Sequence, residues 1–383
     1  MNAAITWADT ARALSAEFAQ RAVQHDRDGS FPHANFADLQ RAGLLALAAP
    51  RAWGGQSASI TQLGEVIGAI GYACPATALV LSMQFIQQRN MARPGQAWPE
   101  HLARQLVQEA VHGVSLVNAL RVEPELGSPA RGGLPQTIAR RTPEGWRLSG
   151  RKIYSTGAPV LRWYTVWART DAAEPQVGSF LVRADQPGCR IEPTWDHLGL
   201  RASGSHDVVL DDVLTPLDHT IGLLPAFPTT TPKDTSYIAE MVVLLGALYG
   251  GVAQAAHDWL RQFLQQRVPA NLGAPLSSVP RLQEAVGRLE GLLLSNRYLL
   301  DRLARDIDAG QSISATDAGL VKNLVMEQSI QVVQEAVRLS SNHGLTRHNP
   351  LERHLRDVLC GRVHTPQEDS VYLAAGKHAL QPH

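Results

Sequence analysis

The sequence predicts a mostly helical α+β protein in three parts. These are an N-terminal helical domain over 1–112, a middle small β-barrel domain over 113–218 and a C-terminal four-helix bundle domain over 219–383. Three observations carry this expectation. Apolar residues recur at helical spacing up to about residue 112. Between 113 and 218 the chain offers short runs rich in β-branched and aromatic residues with no helical segments between them, which argues against an alternating parallel sheet. After a Pro/Thr-rich stretch, LLPAFPTTTPKD, helical segments return in lengths that suit an antiparallel bundle.

In chain order, the first helices are expected in ITWADTARALSAEFAQRAVQ, ANFADLQRAGLL, ITQLGEVIGAIGYA and, after Pro75, ATALVLSMQFIQQR. PRAWGG at 50–55 punctuates them as a turn. The strand candidates are VHGVSLVNAL, GWRLSG, WYTVWART, VGSFLVRA and HDVVLDDV. A long apolar helix is expected from about Thr235 until Pro269 stops it, a second from near Pro280 to near Gly310, and a third from about Asp317 to Ser340. LERHLRDVLC follows, then a last helix from Pro366. Thr365-Pro366-Gln367-Glu368 has the form of a capping box with Pro at the first helical position.

At 44% hydrophobic and 18% charged residues, the composition is that of a globular chain. The 35 basic residues cancel the 35 acidic ones, so there is no clustered positive field for nucleic acid or an anionic membrane. Cys74, Cys189 and Cys360 fit neither a disulfide framework nor a metal-ligand spacing, which makes a reducing cytoplasm the default location. The N-terminus lacks a basic region followed by an apolar one, so no signal peptide is expected. The longest apolar stretch, Met241 to Ala256, is short for a span and interrupted by Gln254, so no membrane insertion is expected. No GxGxxG follows a strand, which leaves a Rossmann site unsupported.

Four local motifs stand in a telling order: APRAWGG, LSGRKIYSTG, GLRASGSHDVVLDDV and NPLERHLRD. Together they resemble the acyl-CoA dehydrogenase superfamily across nearly the whole chain. The resemblance implies a flavin, FAD with FMN as the alternative, held between the middle domain and the bundle. It also implies a homo-oligomer, dimer or tetramer, that shares the site across an interface. Tyr154, Ser155 and Thr156 stand where the family packs an aromatic residue and a threonine against the flavin ring. Arg267 matches the arginine that meets the pyrophosphate, and Gln283 a glutamine that contacts the adenine part in the second subunit. SSNHG replaces the family's Gly-Gly-x-Gly turn and keeps Gly344. VEPELGSP keeps Glu123, Pro124, Gly127 and Ser128 of a degraded Thr-Glu-Pro-Gly-x-Gly-Ser segment.

The resemblance allows two chemistries. Dehydrogenation needs a carboxylate to take the α-proton of an acyl thioester while hydride passes to FAD, with an electron-acceptor flavoprotein as partner. The usual position of this base, nine after Arg356, is Thr365, which cannot serve. A minority arrangement, as in isovaleryl-CoA dehydrogenase, puts the base on the long helix. Aligning on Gly250 makes it Glu240, where burial would raise proton affinity toward that of a general base. The bland alternative is an exposed first-turn acid favoured by the helix dipole. This dehydrogenation, with His364 as a polar neighbour, is the leading expectation.

The rival is a two-component monooxygenase of the dibenzothiophene monooxygenase type, served by a flavin reductase. There His364, eight residues after Arg356 and two before Pro366, is the proton-handling group, and Asn118 matches an active-site Asn. A further histidine of that branch appears here as Met83 or Gln84. A third reading is a flavin-binding protein without turnover.

Overall fold

The computed structural model describes residues 5–126, 133–226 and 236–381. Its N-terminal helices are α1 (Trp7–Asp28), α2 (His33–Arg41), α3 (Ile60–Ala73), α4 (Pro75–Ala92) and α5 (Glu100–His112). Their ends follow local chemistry. Thr6 with Asp9 and Ser59 with Gln62 form reciprocal capping boxes that satisfy N-terminal donors of α1 and α3. Gly29, left-handed at φ 70°, closes α1.

Eight strands form the middle sheet: β1 (Leu116–Leu120), β2 (Ile138–Thr142), β3 (Gly145–Lys152), β4 (Leu161–Thr170), β5 (Gln176–Arg183), β6 (Cys189–Glu192), β7 (Asp207–Thr215) and β8 (Thr220–Pro225). The order is β6-β7-β3-β2-β4-β5-β8, with β1 added beside β4. The sheet curls until the end of β7 meets β5, where Thr215 Oγ1 donates to Leu181 O at 2.7 Å.

Two features differ from expectation. The sheet is mixed, because β1 and β2 both run parallel to β4. It also extends beyond residue 218, since β8 pairs with β5. The strands that the sequence pattern does not announce are β2, β6 and β8. β2 is the charged IARRT, β6 has four residues, and β8 is an edge strand without a buried face.

The C-terminal part holds α6 (Ser236–Gln266), α7 (Pro280–Asp308), α8 (Ala315–Ser340), the short α9 (Asn342–Leu345), α10 (Leu351–Leu359) and α11 (Glu368–Ala379). By length and composition α6 could cross a membrane, but 72% of its most apolar window is buried inside the protein, as in a core helix. It packs on α3, α7 and α8. The α3–α6 crossing is close because of glycine: a Cβ on Gly71 would lie 2.7 Å from Leu248 O, and one on Gly251 would lie 2.5 Å from Gly68 O.

The expected capping box before the last helix does not form. The Thr365–Pro366 peptide is cis, α11 starts at Glu368, and its N-cap Gln367 makes no side-chain cap bond. Instead the carbonyls of His364 and Pro366 accept from Lys322 Nζ, which ties this turn to α8.

Candidate active site

Part of the site lies where β1, the turn after β3 and the segment before β7 meet. Asn118, buried on β1, donates through Nδ2 to Thr156 O at 3.1 Å. Tyr154 is left-handed at φ 55°, a conformation that costs a non-glycine residue of order 1–3 kcal/mol and marks sites where the surroundings impose it. Its ring is 55% exposed and edge-on to Trp195 and His197, whose rings stack at 3.6 Å. Ser155 N donates to His206 O, and Thr156 Oγ1 accepts from Ser205 Oγ at 3.1 Å. Ser155 Oγ is buried and has no hydrogen-bond partner among the described residues. An orphaned hydroxyl beside exposed aromatic faces fits a planar group with a polar rim, as a flavin is.

The Arg-Asp pair of the C-terminal motif fastens this region to the rest of the fold. Leu200 N, on a left-handed residue, donates to Asp357 Oδ1 at 2.7 Å. Arg356 reaches Asp26 of α1, Glu352 of α10 and Leu198 O of the middle domain. Burial pushes the Asp357 carboxyl up to about 6.

Glu240 is buried, at 8% exposure, so it is not a solvated first-turn acid. Nor is it the lone buried carboxylate that the sequence suggests. Arg89 Nη2, on α4, meets Oε1 at 2.7 Å, and Arg93 Nη2, at the C-cap of α4, meets Oε2 at 2.9 Å. His364 lies half-buried between α10 and α11, with Nε2 2.7 Å from Tyr249 Oη. Burial, with the Lys322 ammonium nearby, pushes its imidazole down to about 4. Glu240 and Tyr249 are nine residues apart on α6, about two and a half turns, so they occupy opposite faces some 14 Å apart along the axis. The two proton-handling candidates therefore belong to different sides of this helix.

Arg267 and Gln283 are exposed at the tip between α6 and α7. Arg267 O accepts from Leu276 N, and Gln283 Nε2 donates to Ser277 O. No hydrogen bond between these side chains and the middle domain occurs among the described residues. Gly344 is buried where a Cβ would strike Ser340 Oγ and crowd Val337, which gives it a packing reason of its own. Ser128 lies outside the described residues. Its neighbour in the motif, Glu123, is buried against Lys152 at 2.6 Å and is thus committed to the fold. Gln84 is also committed, accepting from Val117 N and donating to Leu45 O. The sequence pattern did not single out Arg89, Arg93, Trp195, His197, Tyr249 or Lys322.

Comparison with known proteins decides the family. The sequence profiles of the acyl-CoA dehydrogenase N-terminal, middle and C-terminal domains match residues 4–95, 121–213 and 243–368. YdbM of Bacillus subtilis (strain 168), named among the acyl-CoA dehydrogenases, is 31% identical over 95% of this chain and 94% of its own. The chain belongs to the acyl-CoA dehydrogenase family. Family membership makes it one of a set of flavin-dependent oxidoreductases. Among solved structures it is similar to KijD3 in complex with FMN and a dTDP-linked amino sugar (TM-score 0.77, 26% identity, 99% of this chain and 98% of that one). The FMN-bound TdsC of Paenibacillus sp. A11-2 shares the fold (TM-score 0.87, 19% identity, 98% and 97%).

Proposed function

We propose that this protein is a flavin-dependent monooxygenase of its family, acting on a small molecule with His364 as the group that handles protons. The observation that carries this reading is the contrast between the two candidates. Both carboxylate oxygens of Glu240 are engaged by guanidinium groups, whereas His364 is half-open, neutral at neutral pH and hydrogen-bonded through Nε2. The two guanidinium groups occupy both oxygens that a catalytic base would have to turn toward a substrate. A neutral imidazole carries one N–H donor and one acceptor nitrogen, so it can relay a proton by accepting at one nitrogen as it releases from the other, without holding a net charge.

A bound reduced flavin would supply the two electrons with which one atom of O2 enters the substrate and the other leaves as water. Asn118, Ser155 and Thr156 would hold its polar edge, while Tyr154, Trp195 and His197 would shield it from solvent. Arg267 and Gln283 would complete the site from a second protomer. A separate flavin reductase is then the required partner, and the similarity to FMN-bound KijD3 favours FMN over FAD.

A second reading, α,β-dehydrogenation of an acyl thioester with Glu240 as base, is favoured by the 31% identity to YdbM. It would require substrate to displace the two arginines. Anaerobic mixing of flavin-loaded protein with short, branched and long acyl-CoAs separates the readings. Oxygenation predicts no bleaching of flavin absorbance by any thioester, oxygen consumption once reduced flavin is supplied, and loss of oxygen insertion in His364→Ala. Rapid bleaching by one thioester that Glu240→Gln abolishes would overturn it.

A further inference from the structure

We infer that Tyr249 and Lys322 are positioning residues for His364. Tyr249 donates its hydroxyl proton to Nε2 and so fixes the imidazole as the Nδ1–H tautomer, while Lys322 holds the 364–366 turn against the bundle. The inference rests on the reading of His364 as the proton-handling group.

Tyr249 has no exposed surface, and its Oη is 2.7 Å from His364 Nε2. Two arrangements are conceivable. If Nε2 carried the ring proton and donated it to the phenol oxygen, the phenol's own proton would be left in a dry interior. Among the described residues it has no other acceptor, and an unpaired buried donor is costly. If the phenol donates, both groups are satisfied. The ring proton then resides on Nδ1, and His364 presents a donor at its free nitrogen. Burial raises the Tyr249 phenol well above its ordinary value, so it keeps the proton that this bond requires.

Lys322 is 2% exposed, and its Nζ donates to His364 O at 2.7 Å and Pro366 O at 3.0 Å. Among the described residues no carboxylate lies within ion-pair distance of it. The ammonium is therefore held by two carbonyl dipoles from the turn that carries His364. It also bears on the imidazole electrostatically and discourages a second positive charge there. The other charged groups around it are Glu327 on α8, Arg362, which pairs with Glu327, and Glu368 in the first turn of α11. Tyr249 faces His364 from α6. Gly361 admits the Tyr249 ring beside this turn, since a Cβ there would meet Met326 Sδ at 2.7 Å and the ring at 3.4 Å.

The test uses full-length protein labelled with 15N-histidine, with the His364 resonances assigned by their absence in His364→Gln. At pH 7 wild type is expected to show a protonated Nδ1 and a bare Nε2. Tyr249→Phe should turn this into a mixture of tautomers. Lys322→Met should move the His364 titration from about 4 toward the ordinary value near 6.5. Lys322→Gln, which keeps a donor for one carbonyl, reports the same shift if the Met variant does not fold.

A protonated Nε2 in wild type, or an unchanged tautomer in Tyr249→Phe, would overturn the role of Tyr249. An unmoved titration in the Lys322 variants would overturn that of Lys322. The spectra do not depend on turnover. Should His364→Ala retain full activity, the functional reading fails while the tautomer assignment stands or falls on its own resonances.

Discussion

Replacing Lys152 by Met is expected to cost about 3–5 kcal/mol of stability, the range for removing one partner of a buried ion pair. Lys152 has no exposed side-chain surface, and Nζ lies 2.6 Å from Glu123 Oε1 and 2.5 Å from Trp167 O. Glu123 is 1% exposed and also accepts from Gln136 N, Thr137 N and Thr137 Oγ1. Burial pushes its carboxyl up, but the Lys152 ammonium and the Thr137 and Gln136 donors outweigh this and hold it below its ordinary value. Without the lysine, a carboxylate remains in the interior with its main counter-charge gone. The unfolding entropy is about 2.1 cal/mol/K per residue, or about 0.8 kcal/mol/K over 383 residues, so Tm should fall by about 4–6 °C.

The double variant Glu123→Gln/Lys152→Met removes both charges and should recover most of the loss, with a coupling of about 2 kcal/mol or more. Urea denaturation followed by tryptophan fluorescence measures all four species. A single-variant cost under about 1 kcal/mol, or a double variant no better than the worse single, would refute the argument that this pair is coupled and structural.

Acid should destabilise the fold through its buried histidines. Burial, with Arg353 adding to it, holds His354 neutral down to about 3, whereas the unfolded residue titrates near 6.5. The unfolded chain thus binds more protons between those values, and stability falls as pH drops through this window by up to about 5 kcal/mol. His354→Leu should flatten the profile, and an unchanged slope would contradict the assignment. Asp357 works in the opposite sense, because its folded value is raised to about 6. Its contribution is complete below about 3.9 and is lost as pH rises through 6. Asp357→Asn, which keeps an acceptor for Leu200 N, should therefore gain stability relative to wild type at pH 7 and not at pH 4 in matched denaturation curves. Gly71→Ala should cost about 1–3 kcal/mol by forcing α3 off α6, and a neutral result in thermal melts would mean that the crossing relaxes freely.

The element order and three-part architecture are legible in the sequence because hydrophobic periodicity is a local signal, and α1, α3, α7 and α8 each carry it over several turns, with capping side chains starting α1, α3 and α8 and Pro280 starting α7. The candidate 154–156 turn is legible for a similar reason, since Tyr154, Ser155 and Thr156 are consecutive. What pairs with Glu240 is not local. The carboxylate at the head of an apolar run is visible in the chain, but Arg89 stands 151 positions earlier, and no periodicity announces that they meet. Tyr249 reads as one more core residue of LLGALYGG until the fold brings His364 to it from 115 positions away.

Lys322 is the instructive case, because the sequence does carry a signal for it. It shares the buried stripe of α8 with Ala318, Val325, Met326 and Ser329, where an ammonium has no solvent to reach. The chain has only four lysines; Lys152 at the end of β3 and Lys322 within α8 are both buried, whereas Lys377 on α11 is exposed. A charge on an apolar stripe demands a partner even when the partner cannot be named. Here the partners are a carboxylate for one lysine and two main-chain carbonyls for the other. The first holds the segment next to the 154–156 turn, since Ile153 N donates to Val122 O, and the second holds the turn that carries His364. Both buried lysines thus stabilise loops that carry candidate site residues. A charge stranded on an apolar helical face or at a strand end therefore marks, in the amino-acid pattern itself, a place where the fold must pin a neighbouring loop.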